Sequence, residues 1–208
     1  MAIRLLDIAL SALVLLLTAP LLIVVALLIK VTSPGPVFYR AVRVGRGGRP
    51  FRMCKFRTMV VAADRMGPTI TSRKDPRITP VGHFLRRTKI DELPQFINVL
   101  MGDMAIVGPR PEVPEIVARY DDTLRRSLDY RPGVTSPGTL HFAIHEEADI
   151  PPGQDAEEYY VRFLLRPKLE RDLAYLDHRS LGGDVRIILA TLRYVLASLC
   201  GRAIPASH

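Results

Sequence analysis

The sequence predicts an α/β fold, mainly helical, in which an N-terminal membrane element precedes one compact body with short strands. Three observations carry that prediction. Residues 8–29 are 22 consecutive positions without a charged side chain. Two segments of strand composition flank a glycine-rich turn at residues 45–50. From residue 81 onward, apolar residues recur at helical spacing in runs punctuated by proline and glycine. A chain of 208 residues is the scale of one domain plus an anchor. We place the boundary after residue 30, with 1–30 as the membrane-anchoring helix and 31–208 as the globular part.

The first element follows from length. At about 1.5 Å per residue, residues 8–29 reach roughly 33 Å as a helix, enough for a bilayer core. The run is too long for a signal peptide, and no small-residue cleavage site follows it. Pro20 sits near its middle, removes one backbone hydrogen bond and predicts a kink. Two topologies compete. A spanning helix would separate Arg4 and Asp7 from the basic region that starts at Lys30, and the Lys and Arg excess places that region in the cytoplasm. A re-entrant hairpin bent at Pro20 would keep both charged flanks on the cytoplasmic side. Charge and Pro20 alone leave both open.

Thr32-Ser33-Pro34-Gly35-Pro36 ends the membrane element as a turn. Residues 37–40 and 51–59 read as strands. The basic loop between them lacks the Gly-Lys-Ser/Thr of a P-loop. Lys55 and Arg57 are two apart, so a strand would point both to one face. Residues 62–80 read as loop and short helix carrying Arg73, Lys74, Asp75 and Arg77, either covering a site or simply solvated. Residues 81–89 read as a helix with Arg86 and Arg87 near its end. Residues 93–100 continue as a helix, with Phe96, Ile97 and Leu100 expected in the core. Residues 111–126 predict another helix. Arg131-Pro132-Gly133 opens an irregular stretch, and residues 150–153 a turn. Residues 156–176 are helical. Residues 184–199 form a strongly apolar helix with Arg186 and Arg193, suited to a core or, as an amphipathic helix, to a bilayer interface.

Charge is uneven along the chain. Residues 1–110 hold 17 Lys and Arg against 6 Asp and Glu, whereas residues 111–208 hold 12 against 15. The first half therefore carries the anion-binding surface, and its position beside an apolar segment favours lipid phosphate over a merely solvated basic face. Cys54 and Cys200 are far apart and form no metal-like cluster, which fits reduced thiols in the cytosol.

The chemistry concentrates between residues 86 and 111. Asp91 and Glu92 are adjacent, so on a helix they diverge by about 100° and suit two different roles rather than one shared proton. Arg86 lies five residues earlier. Arg110 is flanked by Pro109 and Pro111, which lowers the entropy cost of aiming its guanidinium. Carboxylates able to attack phosphorus or hold a metal, beside arginines able to hold phosphate, suggest phosphoryl chemistry. Read alone, the acidic pair is equally a helix N-terminal charge.

The motifs do not stand alone. Lys55-Phe56-Arg57-Thr58-Met59, Arg86-Arg87-Thr88, Asp91-Glu92-Leu93-Pro94-Gln95, Asn98-Val99-Leu100, Gly102-Asp103-Met104, Val107-Gly108-Pro109-Arg110-Pro111 and Arg131-Pro132-Gly133-Val134-Thr135 occur in that order. Together they resemble the bacterial sugar transferase family, the small monotopic polyprenyl-phosphate phosphoglycosyl transferases. The resemblance implies transfer of a sugar-1-phosphate from a nucleotide diphosphate sugar, expected to be a UDP-sugar, to a polyprenyl phosphate, expected to be undecaprenyl phosphate. It implies Asp91 as nucleophile, Glu92 as its partner in the dyad, and Mg2+ as cofactor with Asp91 as ligand. Arg86, Arg110, Lys55 and Arg57 would face substrate phosphates, and Arg131, Pro132 and Gly133 the nucleotide or sugar. It implies a re-entrant helix bent at Pro20, contact with membrane phospholipid, and a site on the cytoplasmic face of the inner membrane. It also implies the first membrane step of glycoconjugate assembly. Nucleic acid is not expected as a partner; an oligomer is compatible.

Three departures accompany the resemblance. Ala19-Pro20 stands in place of a Ser-Pro pair, so the serine back-bond is missing and Thr18 is the nearest substitute. Lys89 stands where many members carry a small polar residue. Ser136-Pro137-Gly138-Thr139 follows Thr135 where Gly-Trp-Ala-Gln is frequent, so donor identity does not carry over. The rival reading is a non-catalytic anchored basic module for anionic lipid or nucleic acid. It leaves the dyad and Arg110 without a role, and the chain has no Trp to stack bases.

Overall fold

The computed structural model describes residues 1–67, 75–142 and 155–199. Arg73, Lys74, Cys200 and the turn expected at residues 150–153 lie outside them.

Helix α1 (Ala2–Thr32) is one uninterrupted helix that includes Pro20. Pro20 has no N–H to give, and two residues earlier the Thr18 hydroxyl donates to the Val14 carbonyl at 2.7 Å. Such side-chain back-bonding loosens and bends helices. Both ends of α1 rest on the same globular body. At the N-terminal end Arg4 donates to the Leu100 carbonyl at 3.2 Å, and the Asp7 carboxylate accepts the Ile106 N–H at 3.0 Å. Towards the other end Val25 and Ile29 are buried in one cluster with Phe56 and Leu85. Between them Leu13, Leu16, Leu17, Ile23 and Val24 are exposed.

Strands β1 (Phe38–Val44) and β2 (Pro50–Phe56) form an antiparallel ribbon, with Phe38 opposite Phe56 and Val44 opposite Pro50. The reversal needs positive φ at Gly47 and Gly48, the conformation that glycine adopts without steric cost. β2 ends before Met59, which makes only an isolated bridge to Ile78. Helix α2 (Pro80–Thr88) starts with proline in its first turn and with the Thr79 hydroxyl accepting the Gly82 N–H at 3.0 Å. Gly82 is required by packing, since a Cβ there would lie 2.0 Å from the Thr58 carbonyl.

Lys89 ends α2 in the left-handed conformation, and a 3-10 turn, Ile90–Glu92, follows. Helix α3 (Gln95–Met101) ends at Gly102 with φ 93°. Its buried positions are Gln95, Asn98 and Val99, whereas Ile97 and Leu100 are exposed. Phe96 packs against the core as expected, whereas the core assignment of Ile97 and Leu100 is corrected. The cause is Asn98, whose amide donates to the Arg52 carbonyl and accepts the Cys54 N–H, both at 2.9 Å. Those bonds to β2 fix the rotation of α3.

Strand β3 (Ala105–Val107) leads to two short helices, α4 (Pro114–Val117) and α5 (Asp122–Arg125), where one helix over 111–126 was expected. Asp121 causes the break by capping α5 and accepting the Leu124 N–H at 2.9 Å. Strand β4 (Gly133–Thr135) pairs in parallel with β3, an element the sequence reading treated as irregular. Helix α6 (Pro137–Phe142) follows. Helix α7 (Ala156–Tyr159) runs into a five-residue π-helical stretch, Tyr160–Leu164, and then into α8 (Leu165–Leu176). Helix α9 (Leu181–Leu199) closes the described chain. Its inner face packs Ile187 and Ile188 on the cluster of Ala41, Met53, Val99, Met104, Ile106 and Val107. Its outer face exposes Leu181, Val185, Leu189, Leu192 and Leu196.

Candidate active site

The turn after α2 separates the two carboxylates by environment. Asp91 is 7% exposed, and its Oδ1 has no hydrogen-bond partner among the described residues. Glu92 Oε1 lies 3.0 Å from Lys55 Nζ on β2 and 3.7 Å from Arg110 Nη2. Burial, and then the charge of Glu92, push Asp91 from 3.8 up to about 6, against the pull of Lys55, Lys89 and Arg86. Burial also acts to raise Glu92, but Lys55, Arg110 and Lys89 outweigh it and hold that carboxylate well below the usual range. Glu92 is thus a fixed anion, and Asp91 is raised to about 6. Arg86, five residues earlier in the chain, is the smallest of these influences, and desolvation is the largest.

Arg110 is aimed by a braced turn. The Gly108 N–H donates to the Thr135 carbonyl at 3.0 Å, and the Gly133 N–H to the Pro109 carbonyl at 2.9 Å. A Cβ on Gly108 would lie 2.3 Å from the Arg131 carbonyl, and one on Gly133 would lie 2.2 Å from the Gly108 nitrogen. Only two glycines allow this crossing. Arg131 itself donates to the Gly102 carbonyl at 3.0 Å, and Pro132 accepts the Ala105 N–H at 2.8 Å. Gly133 therefore fastens β4 to the Gly108–Arg110 turn, while Arg131 and Pro132 tie it to Gly102 and Ala105.

The other basic candidates part company. Arg86 Nε donates to the Thr58 hydroxyl at 2.9 Å, and its charge acts on Asp91. Arg57 lies beyond the end of β2 and does not share the face of Lys55. Its guanidinium donates to the carbonyls of Pro34 and Ser33 at 2.5 and 2.9 Å, clamping the turn that ends α1. Those bonds give Arg57 a structural task.

Sequence reasoning missed the layer behind Arg110. Tyr160 donates to Glu112 Oε1 at 2.5 Å. Lys168 is 2% exposed, with its ammonium 5.6 Å from the Tyr160 ring centroid. Burial, with the charge of Arg110, lowers Lys168 to about 8. Nearby, burial raises Asp172 to about 6 although it accepts the Gly138 N–H at 2.7 Å. No periodicity marks these residues; only the position of Glu112 directly after the Arg110 turn offered a hint.

No group of three or more His, Cys, Asp or Glu suited to a metal occurs among the described residues. A single carboxylate with an unpartnered oxygen, as at Asp91, is nevertheless the donor set with which Mg2+ binds beside substrate phosphates. The residues present fit that ion.

The bacterial sugar transferase model matches residues 1–198. The chain belongs to the bacterial sugar transferase family. It is similar to the UDP-glucose:undecaprenyl-phosphate glucose-1-phosphate transferase of Caulobacter vibrioides, 37% identical over 206 residues, covering 94% of this chain and 70% of the relative. It is similar to the protein of the same name in Escherichia coli, 38% identical over 189 residues, covering 89% of this chain and 38% of that protein. A UDP-N-acetylgalactosamine-undecaprenyl-phosphate N-acetylgalactosaminephosphotransferase of Aeromonas hydrophila is 38% identical over 198 residues, covering 94% of this chain and 44% of its own length. The chain thus spans less than half the length of the last two. The family membership expected from the ordered motifs is borne out.

Proposed function

We propose that this protein transfers a sugar-1-phosphate from a UDP-sugar to undecaprenyl phosphate and releases UMP. The observation that carries the reading is the split dyad: a buried carboxylate with one unpartnered oxygen beside a second carboxylate held ionised by Lys55 and Arg110. The names of the relatives supply the donor and acceptor classes.

Asp91 attacks the phosphorus that bears the sugar. The bond between that phosphorus and the bridging oxygen breaks, and UMP leaves with that oxygen. An acyl phosphate carrying the sugar remains on Asp91. A phosphate oxygen of the polyprenyl phosphate then attacks the same phosphorus, which frees the Asp91 carboxylate and forms the polyprenyl-diphosphate-sugar. Glu92 cannot compete as nucleophile, because Lys55 and Arg110 occupy it. Arg110, about a third exposed, is the group best placed to meet donor phosphate, with Arg86 on the Asp91 side. Magnesium, held by Asp91 together with donor phosphates, would supply charge neutralisation between two anions.

The membrane placement rests on α1. Both ends contact one body, which supports a helix that enters and leaves the same leaflet, with the body on the cytoplasmic face of the inner membrane. Exposed Ile97, Leu100 and Met101 beside α1, and the outer stripe of α9, extend the apolar surface to be covered by phospholipid. The reaction would be the first membrane step in building a polysaccharide or other glycoconjugate. The test is UMP release by detergent-solubilised enzyme with undecaprenyl phosphate, Mg2+ and a panel of UDP-sugars. UMP formation that requires the acceptor for turnover supports the reading; no release with any donor rejects it.

A further inference from the structure

The turn that carries Arg110 places a third carboxylate within its electrostatic reach. Glu112 is half-buried and charge-coupled to Arg110. An arginine between two carboxylates can bind either one. At Glu92 Arg110 belongs to the dyad, whereas bound to Glu112 it would withdraw from it. What distinguishes the two carboxylates is their other partners. Glu92 has Lys55 at 3.0 Å. Glu112 has the Tyr160 hydroxyl at 2.5 Å, with the charges of Arg43 and Lys168 also acting in its neighbourhood.

The Tyr160 contact is a built feature. The helix from Ala156 to Leu176 is wound as a π-helix at Tyr160–Leu164, which shifts the side-chain register within that turn. Single π-turns are rare and occur frequently at functional sites. Here the turn begins with Tyr160, whose ring is stacked under the Lys168 ammonium and whose hydroxyl reaches Glu112. Tyr160 is 8% exposed, so the bond is shielded from water and strong for a neutral donor on a carboxylate.

We propose that Tyr160 is a positioning residue for transfer: by occupying Glu112 it keeps Arg110 directed at Glu92 and the donor phosphates. Removing the hydroxyl leaves half-buried Glu112 short of one hydrogen bond, two residues from Arg110 and lining the same small cavity as that residue. Arg110 then turns away from the dyad. Removing the competing carboxylate as well restores the original arrangement.

The test is a cycle of Tyr160→Phe, Glu112→Gln and the double variant, rests on Arg110 acting as proposed above, and has two readouts. The first needs no activity: the Arg110 side-chain Nε–H resonance of 15N-arginine enzyme in detergent, assigned by its loss in Arg110→Lys. It should move in Tyr160→Phe and return towards the wild-type position in Tyr160→Phe/Glu112→Gln. The second is kcat and KM for UMP release. Tyr160→Phe should lose about ten- to a hundredfold in kcat/KM, the size expected for a misaimed site group, and the double variant should recover most of it. A merely structural tyrosine predicts the opposite pattern, with the double variant no better than the single. An unmoved Arg110 resonance in Tyr160→Phe overturns the proposal whatever the substrate is. Absence of UMP release by the wild type would instead reject the functional reading and leave the resonance test standing.

Discussion

Lys55 Nζ lies 3.0 Å from Glu92 Oε1, and this pair sets the adjacent carboxylates in different surroundings. A strand residue 37 positions away neutralises Glu92, so the burial of Asp91 is left uncompensated by any direct hydrogen bond at Oδ1. The charged form of Asp91 is therefore the less comfortable one. A helix-capping charge, by contrast, would be solvated and aligned with N–H donors.

The first consequence concerns stability. Asp91 has a folded pKa near 6, above its ordinary value of 3.8. The folded state then binds the proton more tightly than the unfolded chain, so the group favours folding below pH 3.8, and this contribution is lost as pH rises through 6. Asp91→Asn should be more stable than the wild type at pH 8, by up to about 3 kcal/mol, and nearly equal to it at pH 4. Thermal unfolding of both proteins in one detergent at pH 4, 6 and 8 measures this. Equal melting temperatures at pH 8 would show that Asp91 is solvated when folded.

A second prediction follows from the coupling. The charge of Glu92 raises Asp91, while Lys55, Lys89 and Arg86 lower it. Glu92→Gln removes the raising charge and leaves Lys55 without its anion. The acidic limb of the pH–rate profile, expected near pH 6 in the wild type, should move to lower pH in Glu92→Gln, even as the rate falls. A limb that stays fixed or moves upward would mean that another group sets it.

Much of this site was legible in the sequence, and the exceptions have physical causes. Asp91, Glu92 and Arg110 stood out because charge adjacency and flanking prolines are local signals. The pairing of Lys55 with Glu92 is not local, since it depends on where α3 docks on β2 through Asn98. Arg57 looked like a twin of Lys55, but β2 ends at Phe56 and releases Arg57 toward Pro34. Strands β3 and β4 are three residues each, too short for alternation to show. Tyr160 was invisible because a π-turn has no sequence period. The long apolar α1 was plain from hydropathy, whereas the contact of both its ends with one body required coordinates.

Arg110 supplies a third prediction. Its guanidinium is the cation of the Gly108–Arg110 turn, and the turn is held by backbone bonds that do not involve its side chain. Arg110→Ala should therefore fold normally and lose about ten- to a hundredfold in kcat/KM, the value of one charge-assisted contact to phosphate. Turnover equal to wild type, with an unchanged melting temperature, would remove Arg110 from donor binding.

Topology can be tested independently of chemistry. With Cys54 and Cys200 replaced by serine, single cysteines at Ala2 and Val31 bracket α1. A membrane-impermeant maleimide should label both from the cytoplasmic side of inverted vesicles and neither from intact spheroplasts. Labelling of position 2 from the periplasmic side alone would establish a spanning helix and contradict the contacts of Arg4 and Asp7 with the body.

The covalent step is the sharpest prediction, because the two adjacent carboxylates sit in such different surroundings. Asp91 has an unpartnered oxygen, and near pH 7.5 it is mostly ionised although buried, which makes it a competent nucleophile once donor phosphate is neutralised. Glu92 is ionised at every working pH but is bound by Lys55 and Arg110, and an attack would have to break both contacts. Enzyme incubated with Mg2+ and a UDP-sugar carrying 32P in the sugar-linked phosphate, without acceptor, should retain label. Digestion should place it on the peptide containing Asp91, and hydroxylamine should remove it, as for an acyl phosphate. Addition of undecaprenyl phosphate should chase the label into lipid. Asp91→Asn should retain no label while keeping its fold, whereas Glu92→Gln should still be labelled, more slowly. Label on any other residue, or normal labelling of Asp91→Asn, would transfer the nucleophile's role elsewhere and leave Asp91 as a buried structural acid.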